Sequence, residues 1–400
     1  MTTPRFAAIL FACALSGPAL VMAAASAPTP FYAVLAETLP LSPVQVAELF
    51  STYVAPLLVA LLVVGSLSDH LGRRPVLSAG FLALAASMVL LWHADSFQAL
   101  LVARAAQGIA TGGLMAAASA VVLDFEPAGS DGLAGAANSA SVMLGLAAGA
   151  VGSGVLLDHA ARAWDLVFVG LAVVYAVGAA AVWLLPETSP RDPGALRSLV
   201  PRLAVHDASR GALLRAAPVL VAGWATAGVQ LSLGGIIVRD TLDLHGALAQ
   251  SVVLVTLATV GAASCLVTRR WSARPMMFVA TATLTTGTIV ITVACALSSL
   301  SGLVAGALLA GVGFGTAFLA VMRTLEPTVD PTRKGELLAA VYTLAYLAYG
   351  VPSVLVGLFA ARWGSAVAMY AAGAGIVVLG LAAAVAALRA PITLGEAASS

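Results

Sequence analysis

Twelve apolar stretches of roughly 20 residues each divide the chain almost from end to end, near 6–27, 44–67, 76–93, 98–122, 132–156, 166–185, 213–237, 248–268, 276–296, 301–322, 337–360 and 366–388. About 20 apolar residues is what one α-helix needs to cross a hydrocarbon core about 30 Å thick. Only 9% of the residues are charged and the mean hydropathy is +1.02, against roughly 25% charged in soluble domains. Lipid offers the backbone no hydrogen-bond partner, and these Ala/Leu/Val-rich stretches lack the alternation of a barrel strand, so they predict helices. The expected fold class is an all-α membrane protein with 12 transmembrane helices.

A net charge of +1 provides no basic field for nucleic acid, and the lipid bilayer is the expected partner. Placing the N-terminus in the cytoplasm puts fifteen of the 19 Lys and Arg residues on the inner side, with Arg162, Arg239 and Arg362 outside and Arg104 within the fourth stretch. That bias supports an even number of spans and cytoplasmic N- and C-termini. Arg5, the apolar run behind it and Ala23-Ala24-Ala25-Ser26-Ala27 also fit a cleavable signal peptide. An uncleaved first helix is the reading adopted, because removing it leaves eleven spans and puts Arg73 and Arg74 on the wrong side. Cys13, Cys265 and Cys295 fall within predicted spans, far apart in sequence, so no disulfide, metal or cofactor is expected.

Residues 186–212 break the apolar pattern with Pro186, Pro190, Pro193 and Pro201 among arginines. They are expected to form a cytoplasmic linker between a six-helix bundle over 1–185 and another over 213–390, followed by a tail over 391–400. A shift of 203 residues lays Gly108 on Gly311 and Gly112 on Gly315, a faint internal repeat.

Between the second and third stretches the chain reads Gly65-Ser66-Leu67-Ser68-Asp69-His70-Leu71-Gly72-Arg73-Arg74-Pro75. Gly65 permits close packing, Gly72 relieves the turn, Asp69 suits the positive start of a helix from the other half, and Arg73 and Arg74 hold the loop at the lipid-water boundary. Asp124 and Glu126, past the inner end of the fourth stretch, are candidate partners for the arginines. The turn resembles the loop between the second and third helices of the major facilitator superfamily, where it acts as a conformational latch. His70 stands where that family usually has Arg or Lys.

The fourth stretch carries Arg104-Ala105-Ala106-Gln107-Gly108-Ile109-Ala110-Thr111-Gly112, with Arg104, Gln107 and Thr111 along one helical face. A cation at membrane depth marks a functional cavity or else snorkels to the interface. Glu48 is the acid nearest in depth that could pair with it. The segment is similar to the family's Arg-x-x-Gln-Gly signature, whose arginine is associated with proton coupling, and the whole pattern comes closest to the 12-helix drug:proton antiporter-like group. The chain departs from that group in two places. Its first helix holds no acid, and its fifth, with Gly145, Gly149, Gly152 and Gly154, has Ala150 and Ser153 where the antiporter signature differs. Gly108, Gly112, Gly145, Gly149, Gly311 and Gly315 read equally as helix-packing glycines.

Candidate substrate contacts are Tyr53, Asn138, Trp224, Gln230 and the helical stripe Tyr342, Tyr346 and Tyr349. No nucleophile-base pair, metal spacing or phosphate loop accompanies them, so neither an enzyme nor an ATP-driven pump is expected. The resemblance implies a monomeric secondary transporter with alternating access, read as proton-coupled efflux of small amphipathic or drug-like compounds. Proton-coupled uptake of a metabolite and a transport-inactive scaffold or sensor are the alternatives. A composition heavy in Ala, Gly, Leu, Val and Arg with Lys334 as the one lysine fits a GC-rich bacterial genome, and hence an inner membrane.

Overall fold

The computed structural model describes residues 4–39, 41–130, 132–189, 191, 193–200, 207–244, 246–328 and 334–388. Arg202, Arg333, Arg389 and the expected tail lie outside them. Among the described residues twelve long helices follow one another with no strand: α1 Pro4–Ser26, α2 Pro43–Val64, α3 Arg73–Trp92, α4 Phe97–Asp124, α5 Leu133–His159, α6 Ala163–Ala181, α7 Asp207–Leu242, α8 Val252–Thr268, α9 Ala273–Ala296, α10 Leu300–Leu325, α11 Lys334–Trp363 and α12 Ser365–Leu388. Eleven are long and apolar enough to cross a membrane, and α8 is a shorter apolar helix of 17 residues. A separate turn, Ala247–Gln250, precedes α8 and completes the eighth expected stretch.

Local chemistry explains the ends of these helices. Ser42 accepts a hydrogen bond from the Gln45 amide while Gln45 Oε1 accepts one from the Ser42 amide, a capping box with Pro43 in the first helical position of α2. Ser96 caps α4 through the Ala99 amide. α7 begins at Asp207, six residues ahead of the expected 213, with an acid in its first turn where the helix dipole favours one. α1 is integral to the bundle: Tyr175 of α6 donates to its Leu20 carbonyl at 3.0 Å, and Gln107 of α4 donates to its Ala24 carbonyl at 2.6 Å.

Glycines set how closely the helices approach. A Cβ at Gly108 or Gly112 would strike the Tyr53 or Leu57 carbonyl of α2, and one at Gly315 would strike the Gly261 carbonyl of α8. Gly311 would come within 2.8 Å of the Leu257 carbonyl. The same pairing, fourth helix on second, thus recurs as α10 on α8 in the second half. Gly145 and Gly149 of α5 meet the Ala19 and Ala23 carbonyls of α1, and Gly228 of α7 meets the Tyr349 carbonyl of α11. Large apolar side chains such as Val102, Ile109, Val177 and Phe278 point outward, as a lipid-facing surface requires.

Gly108→Ala is therefore expected to push α2 off α4 and cost about 1–3 kcal/mol. Gly170→Ala, at an exposed helical site with nothing within 4 Å, should be neutral or stabilising by up to about 1 kcal/mol. Melting curves of the two purified variants in one detergent check this; equal losses would refute the packing account.

Candidate functional site

Even and odd helices run in opposite directions, so one face of the bundle carries the Arg73 loop and the other the α5–α6 connection. On the first face α2 ends at Val64, a single turn spans Leu67–Leu71, and Gly72 reverses the chain with φ of +108°, a conformation that L side chains avoid. Arg73, nearly buried, ion-pairs with Asp69 and, through Nε at 3.2 Å, with Asp124 Oδ2, and its Nη1 donates to Ser68 Oγ at 2.7 Å. Arg74 Nε donates to the Leu185 carbonyl. Asp69, expected against a helix of the other half, instead takes the arginine four residues on, across the Gly72 turn. Gly65 caps α2, and the first atom a Cβ there would meet is the Leu61 carbonyl of its own helix. Glu126 does not reach the arginines; its Oε1 accepts the Ala134 amide at 2.9 Å and caps the start of α5.

The sequence reading missed the centre of this loop, Glu187. Its Oε1 accepts the Arg73 amide at 2.8 Å and its Oε2 the Arg74 amide at 3.3 Å, the unpaired donors at the start of α3. The Thr188 and Ser189 amides also point to Oε1, and Arg191 lies 3.7 Å from Oε2. Ser189 Oγ donates to the Asp69 carbonyl and Thr188 Oγ1 to Asp124 Oδ2 at 2.6 Å. Burial pushes the Glu187 carboxyl up, but the amides of Ser189, Arg73, Arg74 and Thr188 outweigh it and hold the group below its ordinary value.

Arg104 lies about 10 Å along α4 from the opposite face. It does not snorkel: it is 1% exposed, turned into the protein. Nor does it pair with Glu48, which is exposed. The next residue, Leu49, turns its carbonyl inward and accepts from Arg104 Nε at 3.3 Å. Nη1 donates to Gln107 Oε1, and the guanidinium lies 4.3 Å from the centroid of the Tyr53 ring. Among the described residues no carboxylate is in ion-pair contact with it.

Aromatic rings continue from this cluster into the second half. Phe50 of α2 meets Tyr349 of α11 with centroids 5.2 Å apart, and Tyr349 meets Trp224 of α7 at 6.0 Å. Trp224 also touches Tyr346 at 5.2 Å, while Tyr342 sits further along against Phe318 at 5.5 Å. Gln230 lines a small pocket between the halves with Thr29, Tyr32, Ser232 and Gln250. Asn138 stands apart, about 8 Å along α5 from the Arg73 face. Its Oδ1 is buried without a hydrogen-bond partner.

A second contact that the sequence reading missed ties the halves at the face away from Arg73. Asp158, near the end of α5, accepts the Ala247 amide at 2.7 Å and the Leu248 amide at 2.9 Å, the unpaired donors of the turn leading into α8. Gly246 before that turn has no side chain to cap it, and Gly154, one turn back on α5, lets Leu248 approach.

A family model described as the Major Facilitator Superfamily matches residues 14–351. The chain is similar in fold to a bacterial homologue of the human lysosomal transporter Spinster. In its inward-facing, unoccupied form the identity is 15%, coverage is 97% of this chain and 98% of that one, and the TM-score is 0.74; in its occupied form these are 14%, 98%, 98% and 0.72. The human organic anion transporter MFSD10 (TETRAN) is 16% identical over 96% of this chain and 100% of its own, with a TM-score of 0.69. No curated protein matches the sequence.

Two outcomes follow from the carboxylates. Because Glu187 titrates lower when folded than when unfolded, its contribution is complete above the unfolded value near about 4.3 and is lost as pH falls through the folded value. Glu187→Gln should cost about 1 kcal/mol at pH 7, and melting curves of mutant and parent should converge in acid; a gap that persists there would refute the amide account. Asp158→Asn should shift the population toward separation of α5 from the α8 turn by about fivefold, read by spin-label distances across that face, with unchanged distances counting against it.

Proposed function

We propose a function from one premise: this chain belongs to the major facilitator superfamily. Members of that family are transporters, and the chain works as a secondary transporter by alternating access, its two halves rocking about a central site. The observation that carries the reading is the aromatic and cationic cluster of Tyr53, Arg104, Trp224, Tyr346 and Tyr349, which spans the interface of the halves at membrane depth. Amphipathic rings around a single buried cation suit a small amphipathic or drug-like compound.

The direction we propose is export, with protons as the coupling ion, on the strength of the Arg104-Gln107-Gly108 signature. Arg73, Asp69 and Asp124 act as the latch of the cytoplasmic face, and the protein works as a monomer in a bacterial inner membrane with both termini inside. Proton-driven uptake of a metabolite is the second reading, favoured by Ala150 and Ser153 in α5.

Purified protein in liposomes under a pH gradient, offered cationic, neutral and acidic compounds, tests the proposal. Substrate-triggered proton flux is expected in the unaltered protein and should fall about 100-fold or more in Arg104→Ala. Substrate movement without proton flux would make the protein a uniporter; movement of no compound would leave the scaffold reading.

A further inference from the structure

We infer that Arg104 is the binding site for an anionic group on the transported compound, so that the substrates are amphipathic organic anions. This rests on the transporter reading above and adds the substrate's charge to it. The guanidinium stays protonated at any biological pH. At 1% exposure it is out of reach of bulk solvent, and the groups that face it are neutral: the Leu49 carbonyl, Gln107 Oε1 and the Tyr53 ring. These supply partial negative charge and orient the fork, but among the described residues no full counter-charge does. A buried cation held this way gains most from a ligand that brings the missing charge.

A second observation points to the same kind of ligand. Tyr32, 4% exposed, has a buried hydroxyl without a hydrogen-bond partner among the described residues. Tyr32 also lines the small pocket between the halves with Gln230 and Gln250. A carboxylate or sulfonate bound by the guanidinium would take its second hydrogen bond from Tyr32 Oη, a donor carried by a different element. Its apolar body would lie toward Phe50 and Tyr349, which meet across the halves. The orientation is amphipathic: charge against α4, rings against α11.

The test uses three matched probes, 4-phenylbutyrate, its neutral amide and 4-phenylbutylamine, with binding read by quenching of tryptophan fluorescence and by thermal shift of the purified protein in detergent. The acid should bind about tenfold or more tightly than the amide, and the amine most weakly. Arg104→Gln should bring the acid to the level of the amide, Arg104→Lys should restore part of the difference, and Tyr32→Phe should weaken the acid alone by about threefold. An acid that binds no better than the amide overturns the inference, as does a preference that Arg104→Gln leaves intact. Where Arg104→Gln yields no folded protein, the three probes on the unaltered protein decide. Acid-selective binding without transport of any compound keeps this site and removes the transporter reading. Transport of neutral or cationic compounds, unaffected by the acid, does the reverse.

Discussion

A backbone carbonyl of one helix seated against a glycine of another holds each half of this protein together. Lipid tails are as apolar as leucine, so burial of apolar side chains cannot drive helices together as it does in water, and close packing has to supply the attraction. Gly108 and Gly112 bring α4 onto α2, Gly311 and Gly315 bring α10 onto α8, and Gly145 and Gly149 bring α5 onto α1. The positions of the polar groups of α4 follow from these approaches. Gln107 reaches α1 and Arg104 reaches α2 because α4 lies between them at glycine distance.

The carboxylates obey a second rule. Glu187, Glu126 and Asp158 each accept backbone amides at the start of a helix or turn: α3, α5 and the turn before α8. Those amides have no partner within their own helix, and a negative charge suits them on both hydrogen-bonding and dipole grounds. The acids are thereby gathered at the two faces of the bundle. Among the described residues the middle is left with hydroxyls, amides, aromatic rings and the Arg104 cation, which is why Arg104 meets neutral acceptors.

How much of this was legible in the sequence depended on the type of partner. Spans were readable because hydrocarbon thickness fixes their length; most ends fall within about four residues of those expected, while α7 overruns at both ends and α8 is shortened by the separate turn before it. Glycine pairs were readable because two residues four apart recur after 203 positions. Arg104 and Gln107 were readable as a pair three apart on one helix. The partner of Arg104 was misjudged because depth alone was matched: Glu48 lies at the right level, but its helical phase turns it outward and leaves the Leu49 carbonyl facing in. Glu187 and Asp158 went unread because they bind main-chain amides, which every residue but proline carries and no motif records. An acid at the edge of an arginine-rich linker, and another at the end of a glycine-rich helix, were the available signals.

The bond between Asp158 and the amides of Ala247 and Leu248 is one-sided in its heredity. Its acceptor is a side chain that a single codon change can remove, whereas its donors belong to the peptide units and persist through any substitution at those positions other than proline. Drift can therefore loosen the tie between the halves at this face from one strand of the interface only. No compensating change at 247 or 248 can restore it, and paired variation, the usual trace of a contact in related sequences, would not record it.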